Sequence, residues 1–95
     1  MFARTLEIFD ELDIVEEAIA LGRKLHGANF YSDRRRMAHI NINGIDSFFS
    51  FVLCLPQYET ERLLGQCVES LGVKIERPVT FTALEQDKHG VTATL

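Results

Sequence analysis

Apolar residues recur at helical spacing in two stretches near the start of the chain. Leu6, Phe9 and Leu12 lie three residues apart, which predicts a first helix over residues 3–12. A second apolar stripe covers residues 14–21, and Gly22 after it is a typical C-terminal stop. The first quarter of the chain is therefore predicted to form two short helices joined by a corner.

The corner between these two helices carries a capping signature. Asp13 is followed three residues later by Glu16, the spacing of a capping box. In that motif two side chains satisfy two backbone N–H groups that the helix leaves free. We therefore expect Asp13 to be the N-cap of the second helix.

From residue 26 onward the apolar spacing changes from a helical to an extended period. The segment GANFYSDRRRMAHINI has extended flanks around a polar centre with a suitable turn at Ser32-Asp33, so residues 26–42 predict a β-hairpin. The segment NGIDS (43–47) predicts a second turn. The run FFSFVLCL (48–55) is short, apolar and rich in strand formers, which predicts a strand.

A third, amphipathic helix is predicted after Pro56. It begins near Tyr58, ends at Gly72, and has one apolar face made of Leu63, Leu64, Cys67, Val68 and Leu71. Beyond it, VKIERPVTFTALEQD and GVTATL alternate as strands joined by the turn DKHG (87–90). This order predicts an α+β fold with two N-terminal helices, a β-hairpin, and a helix packed on a mixed, largely antiparallel sheet.

Both ends of the chain look unfinished against this set of elements. Leu95 closes the chain within a predicted strand, and Met1-Phe2 leads almost directly into a helix. Small domains often have frayed, polar ends instead. We therefore expect residues 1–95 to be one piece of a larger fold.

Charge and hydropathy argue against two classes of protein. The net charge of -4 disfavours a nucleic-acid binder, which needs a basic surface. No apolar run approaches the roughly 20 residues of a membrane span. The first residues contain early acids and no long apolar region, so they do not form a signal peptide, and we expect a cytoplasmic protein.

Candidate chemistry is sparse. The three histidines and two cysteines lack metal-ligand spacing, and we expect Cys54 and Cys67 to be buried as small hydrophobes. No GxGxxG or GxxxxGK phosphate loop occurs. The run Arg34–Arg36 follows a turn residue and is expected to be solvated. From the residues alone, the chain is an α+β interaction module without an active site of its own.

Two longer stretches nevertheless resemble one enzyme family. RTLEIFDELDIVEEAIALG is similar to the segment that follows the first βαβ unit of FAD-dependent aromatic hydroxylases, the para-hydroxybenzoate hydroxylase and phenol hydroxylase group. A later stretch of that family reads, loosely, Pro-Gln-x-x-Thr-Glu-x-Leu-Leu, then Leu-Gly-Val, then a strand ending in Asp-Gly-Val, and it resembles LPQYETERLLGQCVESLGVKIERPVTFTALEQDKHGVTATL, in which His89 stands at the Asp position. With ANFYSDRRRMAHINI where the family has a substrate-domain hairpin, the resemblance covers nearly the whole chain.

The resemblance implies a cofactor, a co-substrate and three contact residues. Such enzymes bind FAD, take hydride from NADH or NADPH, and use O2 to hydroxylate an aromatic substrate, while protein groups position the flavin. Family positions against the flavin or its ribityl-phosphate arm match Gln57 and Arg62, and Arg4 matches a third position near the cofactor. A helix start and a guanidinium one turn in suit an anionic ligand. The plain structural interpretation makes Arg62 a surface partner of Glu59 or Glu69.

The sequence also departs from the family. Residues 1–95 lack four motifs of the family: the GxGxxG loop, the acidic residue for the ribose, the middle Asp-Gly and the later Gly-Asp. Without them the chain has no binding site for the pyrophosphate and adenine of FAD. We therefore interpret residues 1–95 as an internal fragment, inactive on its own, that spans the end of the FAD-binding region and part of the substrate-binding domain. The alternative is a free-standing binding or dimerisation module without redox activity.

A last expectation concerns assembly. A cut sheet leaves unpaired edges, and we expect uncovered apolar surface at Phe48, Phe49 and Phe51. Both features favour self-association. We therefore expect a homo-oligomer.

Overall fold

Three helices and six short strands make up the chain, and the computed structural model describes all of residues 1–95. The helices are α1 (Ala3–Glu11), α2 (Val15–Leu21) and α3 (Gln57–Ser70). The strands are β1 (Arg23–Leu25), β2 (Gly27–Ser32), β3 (Arg35–Asn41), β4 (Val52–Cys54), β5 (Ala83–Gln86) and β6 (Val91–Thr94). The predicted α+β class is confirmed.

Every strand pair is antiparallel, and the pairs form three separate two-stranded ladders: β1–β4, β2–β3 and β5–β6. The predicted hairpin is confirmed as β2–β3, whose turn residues Asp33 and Arg34 have φ of 47° and 64°. Two successive residues with positive φ suit the twist of a tight hairpin. The predicted turn at 87–90 closes β5–β6, where the Asp87 carboxylate accepts the amides of His89 and Gly90.

The corner between α1 and α2 differs from the predicted capping box. Asp13 has φ 57°, its amide donates to the Asp10 carbonyl, and the Ile14 amide donates to the Phe9 carbonyl. These are the two hydrogen bonds of a Schellman motif, in which Asp13 is the left-handed residue that ends α1. The prediction of Asp13 as an N-cap is wrong because Asp13 belongs to the end of α1, one residue too early to cap α2. Ile14 is the N-cap of α2 and makes no side-chain cap bond.

Helix α3 follows its predicted boundaries closely. It begins after Pro56, and the left-handed residue beyond its end is Gly72, with φ 83°. The amides of Gly72 and Val73 donate to the carbonyls of Glu69 and Val68, a second Schellman motif. Although α3 is the longest helix, with 14 residues, neither it nor the other two could cross a lipid bilayer.

One small apolar core lies between the helices and β4. Its eight buried residues are Leu6, Phe9, Val15, Ala18, Phe49, Phe51, Leu53 and Leu63. Leu53 at the centre of β4 is fully buried, and the alternation of a strand turns the next residue, Cys54, outward. The prediction of a buried Cys54 is therefore wrong, while Cys67 is half-buried.

The phenylalanine run 48–51 is divided between core and solvent. Phe49 and Phe51 are 5% and 7% exposed and pack edge to face, with ring centroids 6.2 Å apart. Phe48 is 92% exposed. The prediction of uncovered surface therefore holds for Phe48 and is wrong for the other two, because β4 and the residues before it face the helices.

Two parts of the chain project from this core: the β2–β3 hairpin and everything after α3. Residues 28–41 and 71–95 are exposed throughout. The radius of gyration is 19.0 Å, whereas a compact domain of this length has about 12 Å. Of the strand predicted over residues 73–87, only β5 forms, and the first bond to β6 is the one that the Thr82 amide donates to the Thr94 carbonyl. The prediction is wrong for residues 73–81, where Pro78 has no N–H to donate to a ladder.

Candidate functional site

Arg62 lies in the second turn of α3 within a polar network. Its Nε donates to Glu59 Oε2 at 2.8 Å and its Nη1 donates to Gln66 Oε1 at 3.2 Å. Its Nη2 lies 3.5 Å from Glu17 Oε1, which ties α3 to α2. The hydrogen bond to Glu59 is the main cause that raises the pKa of Arg62 above its ordinary value. Of the two predicted surface partners, Glu59 is the one that Arg62 contacts.

An open groove of about 500 Å³ runs along α3 beside the residues that follow it. Its lining consists of Tyr58, Glu61, Arg62, Gly65, Gln66, Glu69, Ile75 and Arg77. Two guanidinium groups, a phenol and an amide can donate hydrogen bonds there, while the carboxylates of Glu61 and Glu69 balance the two positive charges. The groove therefore suits a polar, hydroxyl-rich or phosphate-bearing group better than an apolar ring.

Gln57 is the first residue of α3, and its side chain is exposed. Its Nε2 donates to Glu61 Oε1 at 3.1 Å, so it contacts a lining residue of the groove without lining the groove itself. The Pro56 carbonyl accepts the amides of Glu59 and Thr60. The backbone N–H groups of Gln57 and its neighbour have no partner within the chain, and no side chain caps this helix. These free donors and the helix dipole favour an anion at this end of α3.

Arg4 lies on α1, apart from the other two predicted contact residues. Its Nη1 donates to Glu7 Oε2 at 3.2 Å, and its side chain is 79% exposed. Gln57 and Arg62 thus share one helix, while Arg4 belongs to another. Neither Arg4 nor Gln57 lines the groove that Arg62 lines.

The carboxylate that holds Arg4 also ties α1 to the loop before β4. The Ser47 hydroxyl donates to Glu7 Oε1 at 2.9 Å, and the Ser47 oxygen accepts the Phe49 amide at 3.2 Å. The hydrogen bond from Ser47, followed by that from Arg4, lowers the pKa of the Glu7 carboxyl. This contact could not be predicted from the sequence, because nothing in the apolar and polar pattern connects two residues that are 40 positions apart.

Comparison with known proteins gives these residues a family. The family described as FAD binding domain matches residues 1–95. The chain is 36% identical over 93 residues to the 12-dehydrotetracycline 5-monooxygenase/anhydrotetracycline 6-monooxygenase of Streptomyces rimosus, a match that covers 98% of the chain and 18% of that enzyme.

Two further relatives carry the same type of name. The rifampicin monooxygenase of Streptomyces venezuelae is 28% identical over 95 residues, covering 100% of the chain and 19% of that enzyme. An uncharacterized aromatic compound monooxygenase of Bacillus subtilis is 31% identical over 88 residues, covering 93% of the chain and 17% of that protein. The chain thus spans less than a fifth of the length of these relatives. The resemblance to FAD-dependent aromatic monooxygenases is confirmed, and the chain belongs to the FAD binding domain family.

Proposed function

We propose that residues 1–95 supply one part of the flavin site of a monooxygenase that hydroxylates an aromatic substrate with NAD(P)H and O2. The observation that carries this proposal is the family match over every residue of the chain. The monooxygenase names of the relatives support the reaction class. FAD, when bound, supplies the redox chemistry, and the residues of this chain bind and orient it.

The donors at the start of α3 fit the polar arm of the cofactor. Arg62 keeps its short contact with Glu59 and exchanges its 3.5 Å contact with Glu17 for an oxygen of the ligand. Both partners of that longer contact are exposed to solvent, which screens their charges, so breaking it costs little. The free amide of Gln57 adds a backbone donor beside the guanidinium. Arg4 approaches the same cofactor from α1.

The pyrophosphate and adenine need parts that residues 1–95 do not contain. The chain has no glycine-rich phosphate loop, and its one arginine-lined groove is open to solvent. We therefore expect the isolated chain to be inactive and to show no FAD-dependent oxidation of NADH or NADPH. A fluorescence titration measures directly whether the isolated chain binds FAD. Tight binding of one FAD per chain would overturn the proposal that this flavin site is incomplete.

A chimera tests the role of Arg62 in a complete enzyme. Residues 1–95 replace the matching segment of the Streptomyces rimosus enzyme, and the purified chimera is assayed for bound FAD. Loss of a charge-assisted hydrogen bond costs about 1.5–3 kcal/mol, so Arg62→Gln should weaken FAD binding by roughly 10- to 100-fold. Lys74→Gln removes the same charge outside the groove and should leave the FAD affinity unchanged.

Two outcomes of this experiment separate cofactor binding from folding. If Arg62→Lys restores most of the affinity while Arg62→Gln retains native circular dichroism, the positive charge at position 62 acts on the ligand. If Arg62→Gln and Lys74→Gln bind FAD equally, Arg62 does not contact the cofactor. The alternative function, a free-standing module, is tested by the flanking DNA, where coding sequence for GxGxxG upstream or Gly-Asp downstream would argue against it.

A further inference from the structure

We propose that Glu59 is a positioning residue of the flavin site, whose carboxylate holds the Arg62 guanidinium so that Nη2 can meet an oxygen of the cofactor. This inference rests on the proposed function, because it assigns a supporting partner to a residue of that site. It is carried by the contacts of Arg62 within α3, by the difference between its two carboxylate partners, and by the rotamer freedom of an arginine side chain.

The contacts within α3 leave the guanidinium little freedom of orientation. Glu59, Arg62 and Gln66 are three and four residues apart, so their side chains share one face of the helix. Arg62 Nε donates to Glu59 Oε2 at 2.8 Å, and Nη1 donates to Gln66 Oε1 at 3.2 Å. Because the guanidinium is planar and rigid, holding two of its three nitrogens determines the direction in which the third, Nη2, points.

The two carboxylates that contact Arg62 differ in distance and in exposure. The Glu59 oxygen lies 2.8 Å from Nε, and the Glu59 side chain is 22% exposed. The Glu17 oxygen lies 3.5 Å from Nη2, and the Glu17 side chain is 55% exposed. Short charge-assisted hydrogen bonds are the stronger ones, whereas solvent screens a longer, exposed ion pair. Glu59 therefore determines where the guanidinium lies, and Glu17 is the partner that a ligand can replace.

Holding Arg62 in advance should increase the affinity for the cofactor. A long side chain that a ligand must immobilise loses rotamer freedom on binding, which lowers the affinity by roughly 2- to 10-fold. An arginine that Glu59 already holds has lost most of this freedom before the ligand arrives. Removing the Glu59 oxygens should therefore weaken FAD binding by that factor, although Glu59 itself does not touch the cofactor.

A second role of Glu59 has to be separated from this one. Glu59 lies in the first turn of α3, where a carboxylate stabilises a helix through the helix dipole. That role depends on the negative charge, whereas positioning depends on an oxygen that accepts the Nε hydrogen. Glu59→Gln loses the charge and keeps an acceptor oxygen, and Glu59→Ala loses both. Helix stability should follow the charge, and the orientation of Arg62 should follow the oxygen.

Side-chain NMR of the 95-residue chain tests the orientation without any cofactor. The Arg62 Nε–H signal is assigned by its absence from Arg62→Gln, and its exchange with water is measured. We expect slow exchange in the wild type and in Glu59→Gln, and exchange several-fold faster in Glu59→Ala, because a hydrogen-bonded N–H is protected from exchange. A wild-type signal that exchanges as fast as that of the exposed Arg34 overturns the proposal.

FAD titration of the chimera with the Streptomyces rimosus enzyme tests the effect on binding. Glu59→Ala should weaken FAD binding by roughly 2- to 10-fold, and Glu59→Gln should restore most of the affinity. Glu17→Ala is the matched control, because it removes the other carboxylate partner of Arg62. It should bind FAD slightly more tightly, since Nη2 no longer has a competing acceptor. In an Arg62→Gln background, Glu59→Ala should have no further effect, because Glu59 acts through Arg62.

The outcomes separate this inference from the proposed function on which it rests. If Arg62→Gln does not weaken FAD binding, the contact between Arg62 and the cofactor is overturned, and the role of Glu59 with it. If Arg62→Gln weakens binding while Glu59→Ala does not, only the role of Glu59 is overturned. Equal weakening by Glu59→Ala and Glu59→Gln, or by Glu59→Ala and Glu17→Ala, also overturns it, as does an effect of Glu59→Ala that persists in Arg62→Gln.

Discussion

A methyl group added at Gly22 should disturb the core, because Gly22 lies directly against Leu53 of β4. A Cβ at this position would lie 2.7 Å from Leu53 Cδ1 and 2.9 Å from both Leu53 Cγ and the Cys54 carbonyl oxygen. Carbon atoms in good contact are about 3.5–4.0 Å apart. Gly22 has φ -99° and ψ -179°, which any residue adopts, so the expected cost is steric and not conformational.

The magnitude follows from the atoms that must move. Overpacking a tight site costs about 1–3 kcal/mol, which we expect for Gly22→Ala. Leu53→Ala alone removes a fully buried side chain and should cost about 2–5 kcal/mol. In the double variant the Cγ and Cδ contacts disappear while the Cys54 carbonyl contact at 2.9 Å remains. The two changes should therefore cost less together than their sum, by about 0.5–3 kcal/mol.

Urea unfolding, followed by far-ultraviolet circular dichroism, measures the four free energies of unfolding in this cycle. Gly44→Ala is the control, because no atom lies within 4 Å of its added Cβ and its φ is outside the left-handed region. Gly44→Ala should be neutral, or more stable by about 0.4–1 kcal/mol, because alanine lowers the conformational entropy of the unfolded chain. If Gly22→Ala is as stable as Gly44→Ala, or if the costs of Gly22→Ala and Leu53→Ala simply add, then the Gly22 position is not tightly packed against Leu53.

Three other substitutions test single contacts. Ser47→Ala should raise the pKa of the Glu7 carboxyl toward its ordinary value in an NMR titration, and an unchanged pKa would contradict the hydrogen bond between these two side chains. Because the pKa of Glu7 is lowered in the folded chain, the stability that this contact contributes is present above the unfolded pKa and is lost as the pH falls through the folded pKa. Phe49→Ala should lower the free energy of unfolding in urea by about 3–5 kcal/mol. Phe48→Ala, at a residue that is 92% exposed, should leave it nearly unchanged, and equal losses would show that Phe49 is not part of the buried core. Lys24→Met removes an ammonium group that lies 4.6 Å from the centroid of the Phe51 ring, and it should lower the free energy of unfolding by about 0.5–1 kcal/mol. A more stable variant would argue against this cation–π contact.

Elements defined by contacts close in the chain were predicted well from sequence. The apolar spacing of α1 and α3, the stop at Gly72 and the turn at Asp87–Gly90 depend on residues only a few positions apart, and the structure has them where the pattern places them. The capping box failed because two local motifs competed for Asp13. The Schellman end of α1 used that residue, and a sequence pattern does not rank the two.

Features that depend on residues far apart in the chain could not be predicted from the pattern of apolar and polar positions. Phe48, Phe49 and Phe51 are equally apolar, and only the packing of β4 against the helices decides which are buried. Residues 73–81 alternate in sequence like a strand but pair with no other strand, and the ladder to β6 begins only where the Thr82 amide donates to the Thr94 carbonyl. For the candidate site, Arg62 could be placed on its helix from sequence, whereas its contact with Glu17 on α2 required the fold.

The turn at Asp33 and Arg34 offers a position for inserting foreign sequence. Both residues are exposed, and the hairpin that ends there contributes no residue to the buried core. Loop closure adds only about 0.6 kcal/mol for each doubling of loop length, so a flexible peptide or a fluorescent reporter inserted between these residues should leave the core stability nearly unchanged. A reporter at this position would label the chain without occupying either terminus.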